Sequence, residues 1–301
     1  QMDYPPQAAS IYQSTVQQML SNLALLYGRD GKYTKAREAI KQLRECVKED
    51  SEAISSLADA IYNLITQCAN DNIMAYRGQI KAMADELEAL AALTDGEHEH
   101  TRYVMALYNI AGRLEDNGIA HLPMWDLLYD YSMTHTISND MADSVAQEEM
   151  SLTGSAGSVR DAVKHRERVK AMSRHPVYGK NNMTEWLAAT EYNLLIVALS
   201  YEDTVLANEM LQNLIVMLDE CSPRDKHAVV LRHAKGAVML ASKYGDVNAV
   251  DNEEKVYMAT SGLLIPYAED SEINQRLTKM ALNLCKDLED AGQIRQVRRI
   301  Y

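Results

Sequence analysis

The sequence predicts an all-α solenoid of about seven helix–turn–helix hairpins. Apolar residues recur at helical spacing along the chain, and a turn recurs roughly every 41 to 47 residues. Glycine and proline are few, 13 and 6 among 301 residues, as a mostly helical chain requires. Because one hairpin cannot bury its own apolar face, we expect the copies to stack beside one another.

The first hairpin is the clearest, and its turn lies in residues 21–33. Leu23, Leu26 and Tyr27 fall on one face of the predicted first helix. Gly31 follows an aspartate and predicts a turn, because glycine adopts the positive φ that ends a helix. A second apolar series begins at Tyr33 and predicts the partner helix.

The remaining hairpins follow in order along the chain. The predicted helix pairs are 8–27 and 32–49, 51–69 and 71–93, 97–117 and 119–136, 139–152 and 159–173, 184 onward and 203–220, 223–243 and 248–268, and 271–289 and 293–301. Residues 159–173 are strongly charged, which predicts a helix with a solvated back face and thin packing. We expect one domain over 1–301, with a bend or sub-array boundary near 174–183.

An asparagine stands nine residues before the turn residue in five hairpins, and leucine or isoleucine follows it each time. These residues are Asn22, Asn63, Asn109, Asn193 and Asn283. Two units are weaker: one turns near 153–158, and the other turns at Gly245, where Gly236 takes the matching place.

The stretch from Asn22 to Ala36 resembles a tetratricopeptide repeat, and the spacing near 42 residues is similar to the kinesin light chain variety. This resemblance implies a right-handed superhelix whose first helices line a concave groove. The family prefers alanine five residues after the turn, which Ala36 and Ala207 match. The other hairpins depart from that preference, with Arg77, Pro123, Val250 and Val297 at the same place.

The asparagine series is the main indication of function. Asparagine is unfavourable inside a helix, because its amide competes for backbone hydrogen bonds. An amide offers an acceptor and two donors to an extended peptide, and resemblance to peptide-binding family members implies that use. We therefore expect a protein–protein interaction module that holds a peptide or protein segment in its groove. The alternative is that these amides bond neighbouring helices or face water.

Arginines on the first helices add positive charge to the predicted groove. Arg102, Arg113 and Arg232 are the candidates, and Lys235 and Lys279 accompany them. In family members that bind chaperone tails, such cations pair with asparagine to clamp a carboxylate. The full set at the family spacing is not found in this sequence, so the clamp stays an alternative.

The charge balance bears on the class of partner. The chain has 43 acidic and 30 basic residues, a formal net charge of -13. This balance disfavours nucleic acid, whose binding depends on clustered Lys and Arg, and favours neutral or basic protein partners. No run of 18 apolar residues occurs, so we expect no membrane span.

Metal-binding and catalytic patterns do not assemble. His98 and His100 are two residues apart and would point away from each other on a helix, whereas helical zinc sites use i,i+4 pairs. Neither a glycine-rich phosphate loop nor a Gly-x-Ser-x-Gly elbow occurs. We therefore expect no cofactor, no metal and no enzymatic activity.

A second functional hypothesis is a peptide- or ligand-sensing regulatory segment of a larger, bacterial signalling or transcription-regulatory protein. Gln1 precedes Met2, and Tyr301 falls within a helical pattern, which suggests a piece of a longer chain. The four cysteines are far apart and favour free thiols in a reducing compartment such as the cytoplasm. An extracytoplasmic sensor segment stays open.

Overall fold

The computed structural model describes residues 6–47, 51–94, 96–178 and 183–300, with the side chains of 6–10 and 51 left out. These residues form helices joined by short turns, and they include no β-strand. The helices are α1 Pro6–Arg29, α2 Tyr33–Cys46, α3 Ser51–Asn72, α4 Arg77–Thr94, α5 Glu97–Asp116, α6 Leu122–Ser132, α7 Asn139–Ser155, α8 Val159–Ser173, α9 Met183–Ser200, α10 Thr204–Glu220, α11 Lys226–Asp246, α12 Val250–Leu264, a 3₁₀ turn Ile265–Tyr267, α13 Ser271–Asp290 and α14 Ile294–Ile300. The all-α prediction is confirmed, and none of the described helices is long and apolar enough to cross a membrane.

Five of the helix-to-helix turns share one backbone geometry. Each contains a residue with positive φ, and the five are Gly31 (69°), Gly118 (66°), Glu202 (63°), Asn248 (55°) and Gly292 (75°). At the first turn, the N–H of Gly31 donates to the carbonyl of Gly28 at 2.9 Å, and the N–H of Lys32 donates to that of Tyr27 at 2.8 Å. The same pair of bonds recurs at the other four turns, and it is the Schellman motif that ends helices.

These turns fix the register of the helix pairs. Nine residues before the left-handed residue lie Asn22, Asn109, Asn193 and Asn283, as predicted. The register of α11 differs from the prediction, since its left-handed residue is Asn248 and not Gly245. The matching position on α11 is therefore Met239, and it carries no amide.

The second hairpin turns in a different way. Helix α3 continues to Asn72, and α4 begins only at Arg77. The side-chain Oδ1 of Asn72 accepts a hydrogen bond from the N–H of Ala75 at 2.9 Å and so stabilises this longer turn. Asn63 therefore keeps its place on α3 without a left-handed residue after it.

The chain divides into two compact units, residues 1–145 and 146–301. In the first unit, the first helices α1, α3 and α5 pack one on the next, and α2, α4 and α6 pack against them. In the second unit, α9, α11 and α13 form the equivalent row, and α10, α12 and α14 are the second helices. The division falls within α7. The bend predicted near 174–183 includes residues 179–182, which lie outside the described residues, and it stays a prediction.

The residue that follows the asparagine position packs between neighbouring first helices in each row. Leu64, Ile110, Leu194, Leu240 and Leu284 are all buried at this place. Leu23 is the exception at 38% exposed, and Leu26 on the same helix is 56% exposed. The helical spacing of these two leucines predicted that they share a face buried by stacking. In the structure they are exposed because α1 has no first helix before it among the described residues.

Candidate functional site

The five asparagines lie on the first helices, three in the first unit and two in the second. Asn22 is exposed, and the other four are half-buried. Asn109 Nδ2 donates to the hydroxyls of Tyr62 at 3.3 Å and Thr66 at 3.1 Å, both on the preceding first helix.

The two asparagines of the second unit make similar bonds. Asn193 Nδ2 donates to the backbone carbonyl of Met150 on α7 at 3.0 Å. Asn283 Nδ2 contacts Ser242 Oγ on α11 at 3.5 Å. In Asn109, Asn193 and Asn283 the NH₂ group therefore ties one first helix to another, and the carbonyl oxygen Oδ1 makes no hydrogen bond among the described residues. Of the two uses expected from the sequence, bonding between helices accounts for the NH₂ donors. It does not account for the Oδ1 acceptors.

Arg102 lies on α5, two helical turns before Asn109. Its Nε donates to Asp59 Oδ1 at 2.5 Å, and its guanidinium lies 5.3 Å from the centre of the Tyr62 ring. His98 Nε2 lies 3.0 Å from the same Asp59 oxygen. The guanidinium of Arg102 therefore forms an ion pair with Asp59 and a cation–π contact with Tyr62, both on α3.

The other two predicted arginines also bridge neighbouring first helices. Arg113 Nε donates to Asn70 Oδ1 at 2.7 Å on α3, and Arg232 Nη2 lies 3.4 Å from Glu185 Oε1 on α9. Each of the three cations already has an anionic or amide partner on a neighbouring first helix. The arginines therefore connect these helices, and they do not form the carboxylate clamp.

The row of first helices is bordered by an open cleft in each unit. In the first unit, a cleft of about 580 Å³ is lined by Arg102, Met105 and Asp140 among others. In the second unit, a cleft of about 490 Å³ runs along α13 and is lined by Asn283 and Lys279 among others. Predicted site residues therefore lie at accessible surface in both units.

A buried ionic network, which the sequence did not predict, joins α7, α8 and α9. Glu149 accepts hydrogen bonds from His165 Nδ1 at 2.6 Å and from Arg168 Nη1 at 3.1 Å. Arg166 makes two bonds to Glu191, at 2.8 and 3.2 Å. The expectation of thin packing over 159–173 is therefore wrong, because His165 and Arg166 are buried and their charge partners lie on the adjacent helices. The expected solvated face is present, since Arg160, Lys164 and Glu167 are exposed.

The histidines expected not to form a metal site have other partners. His98 pairs with Asp59, and His100 Nδ1 lies 2.7 Å from the hydroxyl of Tyr131 in a buried contact. Within the described ranges, no group of three or more His, Cys, Asp or Glu side chains is arranged to hold a metal ion.

The cysteines are all free thiols. Cys68 and Cys285 are buried, and Cys46 and Cys221 are half-buried. Burial raises the pKa of the Cys68 thiol to about 11, so this thiol stays protonated near neutral pH and is a poor nucleophile.

Comparison with known proteins adds no assignment to this geometry. No protein-family model matches the sequence, and none of the curated proteins compared with it is significantly similar.

Proposed function

We propose that this chain is a right-handed α-solenoid, similar to tetratricopeptide repeats, that holds an extended peptide or protein segment along its first helices. The observation that carries the proposal is the repeated register. Four asparagines stand nine residues before a turn of the same left-handed geometry, on first helices that pack in rows within each unit.

The contacts of the asparagines indicate which half of the peptide backbone they would bind. Asn109 and Asn193 use their NH₂ groups on neighbouring helices, which leaves Oδ1 as the accessible group. These oxygens are acceptors, so they bind the N–H groups of an extended segment. The proposed mechanism is therefore capture of backbone donors, with the clefts beside the rows receiving side chains.

The partner we propose is neutral or basic. The chain carries a net charge of -13, and the cleft of the first unit includes the acids Glu97 and Asp140, while Arg102 beside them is already paired with Asp59. A segment with Lys or Arg would gain from this field, and an acidic segment would be repelled.

The test is selection of peptides from a random display library on the full chain, followed by affinity measurements with the selected sequences. We expect selected peptides to be neutral or basic, and we expect Asn109→Ala to weaken their binding about three- to tenfold through loss of one hydrogen bond. Gln42→Ala, which removes an exposed amide from a second helix, is the matched control. Failure to select any peptide, or equal affinity in both variants, would overturn the proposal.

A further inference from the structure

The second unit has another cleft, on the side of its second helices. Helices α10 and α12 both pack against α11, and a cleft of about 320 Å³ opens between them. His233 and Tyr244 of α11 line it from below. This volume lies at the small end of the range for ligand pockets.

Two buried polar side chains of this cleft have no hydrogen-bond partner among the described residues. His233 is 0% exposed and Thr260 is 1% exposed, and both line the cleft. No described residue makes a hydrogen bond of normal geometry with either ring nitrogen of His233 or with Thr260 Oγ1. A polar group buried without a partner destabilises the fold, and a ligand that bonds to it would remove that destabilisation.

The register shows that the fold does not require polar residues at these two places. His233 lies six residues before Met239, and the corresponding residue of α3 is the buried Leu57. Thr260 lies twelve residues after its left-handed residue, where α2 and α10 have the buried leucines Leu43 and Leu214.

The first unit provides an internal comparison. A cleft of about 340 Å³ lies between α2 and α4, with the apolar Ile61 of α3 beneath it. Arg44 and Glu86 face each other across this cleft as an ion pair. The architecture therefore produces a cleft between second helices in either unit, but only the cleft of the second unit combines buried polar groups with an unbridged rim.

The charge of the second-unit cleft is unusual for this acidic chain. Lys255 is exposed at its rim, and none of the residues that line it is a carboxylate. The amides of Asn208 and Gln212 add donors. Burial lowers the pKa of His233 to about 4, and the backbone of Leu211, which lies near the ring without normal hydrogen-bond geometry, partly opposes this shift. The imidazole is thus neutral near pH 7 and offers one donor and one acceptor.

We propose that this cleft binds a small organic monocarboxylate that carries a hydroxyl group. Its carboxylate lies at Lys255 and the rim amides, its carbon chain packs on Leu211 and Val256, and its hydroxyl reaches His233 and Thr260. This site is on the second helices and does not depend on peptide binding by the first helices.

The first experiment is a nuclear magnetic resonance titration of the full chain, labelled with ¹⁵N at histidine. The probes are 3-hydroxybutyrate, butyrate and butylamine, which share a four-carbon chain. We expect 3-hydroxybutyrate to shift the His233 ring nitrogens and to bind about three- to tenfold more tightly than butyrate, because one additional hydrogen bond is made. Butylamine should cause no shift, since its cation meets Lys255.

Three variants locate the contacts. Lys255→Gln should weaken the binding of both carboxylates about tenfold, because a charge-assisted bond is lost. Lys286→Gln makes the same charge change at an exposed residue of α13 and should have no effect. Thr260→Val keeps the shape of the side chain and should remove the advantage of 3-hydroxybutyrate over butyrate.

Three results would overturn the proposal. They are equal affinity for the three probes, preference for butylamine, and a high-resolution crystal structure grown with 3-hydroxybutyrate in which only water contacts His233 and Thr260.

Discussion

Glu253 on α12 is a fully buried carboxyl group beside other acids. It is 0% exposed, and neither of its oxygens has a hydrogen-bond partner that meets normal geometry among the described residues. Burial, and then the nearby Asp287 and Asp246, raise the pKa of Glu253 to about 8. Below the pKa of the unfolded chain, near 4.3, both states are protonated. As the pH rises toward 8, only the unfolded chain releases its proton readily, so stability falls across this window.

The first prediction is that Glu253→Gln removes this pH dependence. The variant should be more stable than the parent at pH 7.5, by on the order of 2 kcal/mol after allowing for screening, and nearly equal at pH 4. Urea unfolding at several pH values measures this difference. Glu254→Gln, one residue away and only half-buried, is the control. If the two variants have the same pH profile, the Glu253 carboxyl is not protonated in the folded chain.

Glu202 illustrates what the sequence revealed about single residues. Glycine marks three of the five Schellman turns, and these could be predicted, because glycine adopts positive φ without strain. Glu202 and Asn248 adopt the same geometry with a side chain present, and only the spacing of the other turns pointed to Glu202. Asn248 was missed because Gly245, three residues earlier, is the more conspicuous turn residue.

The second prediction is that Glu202→Gly stabilises the chain by about 0.5–1 kcal/mol, because glycine removes the strain of the left-handed conformation. Glu202 is also in an ion pair with Lys243 at 3.4 Å, but its side chain is 81% exposed, so loss of this pair should matter little. The reverse change, Gly292→Ala, should destabilise the equivalent turn by a similar amount. Thermal unfolding of both variants tests this, and a lower Tm for Glu202→Gly would contradict it.

At the scale of elements, α8 shows why its charged composition does not predict how closely it packs. Its charged residues predict a solvated back face and thin packing, but the sequence does not show which charged residues have a partner on a neighbouring helix. Arg166 and Glu191 are 25 residues apart and meet only after α8 packs on α9. The helix boundaries, by contrast, follow from local signals such as Ser158, whose side chain accepts from the N–H of Asp161 and begins α8.

The third prediction concerns that buried pair. Glu191→Ala should destabilise the chain by about 3 kcal/mol, because it leaves the guanidinium of Arg166 buried with only the exposed Glu167 beside it. The double variant Arg166→Met with Glu191→Leu should cost less than about 1 kcal/mol, since no charge remains to be desolvated. Urea unfolding of Glu191→Ala measures the first cost, and unfolding of Arg166→Met, of Glu191→Leu and of their double variant gives the coupling energy.

An exposed pair is the control for this cycle. Lys81 and Asp85 on α4 lie 3.5 Å apart and are mostly in solvent, so their coupling should be below about 0.5 kcal/mol. Equal coupling in the two pairs would mean that Arg166 and Glu191 are solvated and that α8 does not pack closely on α9 in solution.

At the scale of the whole molecule, the periodic turns and the all-α class could be predicted, because both arise from local sequence. The buried faces of the helices could not be predicted, because burial depends on which helix packs against each face. Leu23 and Leu64 occupy the same register position, and the sequence treats them alike, yet Leu64 is 1% exposed against 38% for Leu23. Leu64 lies beneath α1, where its Cδ1 is 3.4 Å from the place a Cβ would take on Gly28.

The fourth prediction follows from that difference. Leu64→Ala should destabilise the first unit by about 2–5 kcal/mol, through lost burial and the cavity left beneath α1. Leu23→Ala should cost less than about 1 kcal/mol, because the side chain already contacts water. Urea unfolding at two protein concentrations tests both. An equal and concentration-independent cost would mean that the rest of the chain covers Leu23, whereas a cost that grows with concentration would mean that a second copy does. Either result would contradict the exposed face of α1 and the arrangement of rows from which it follows.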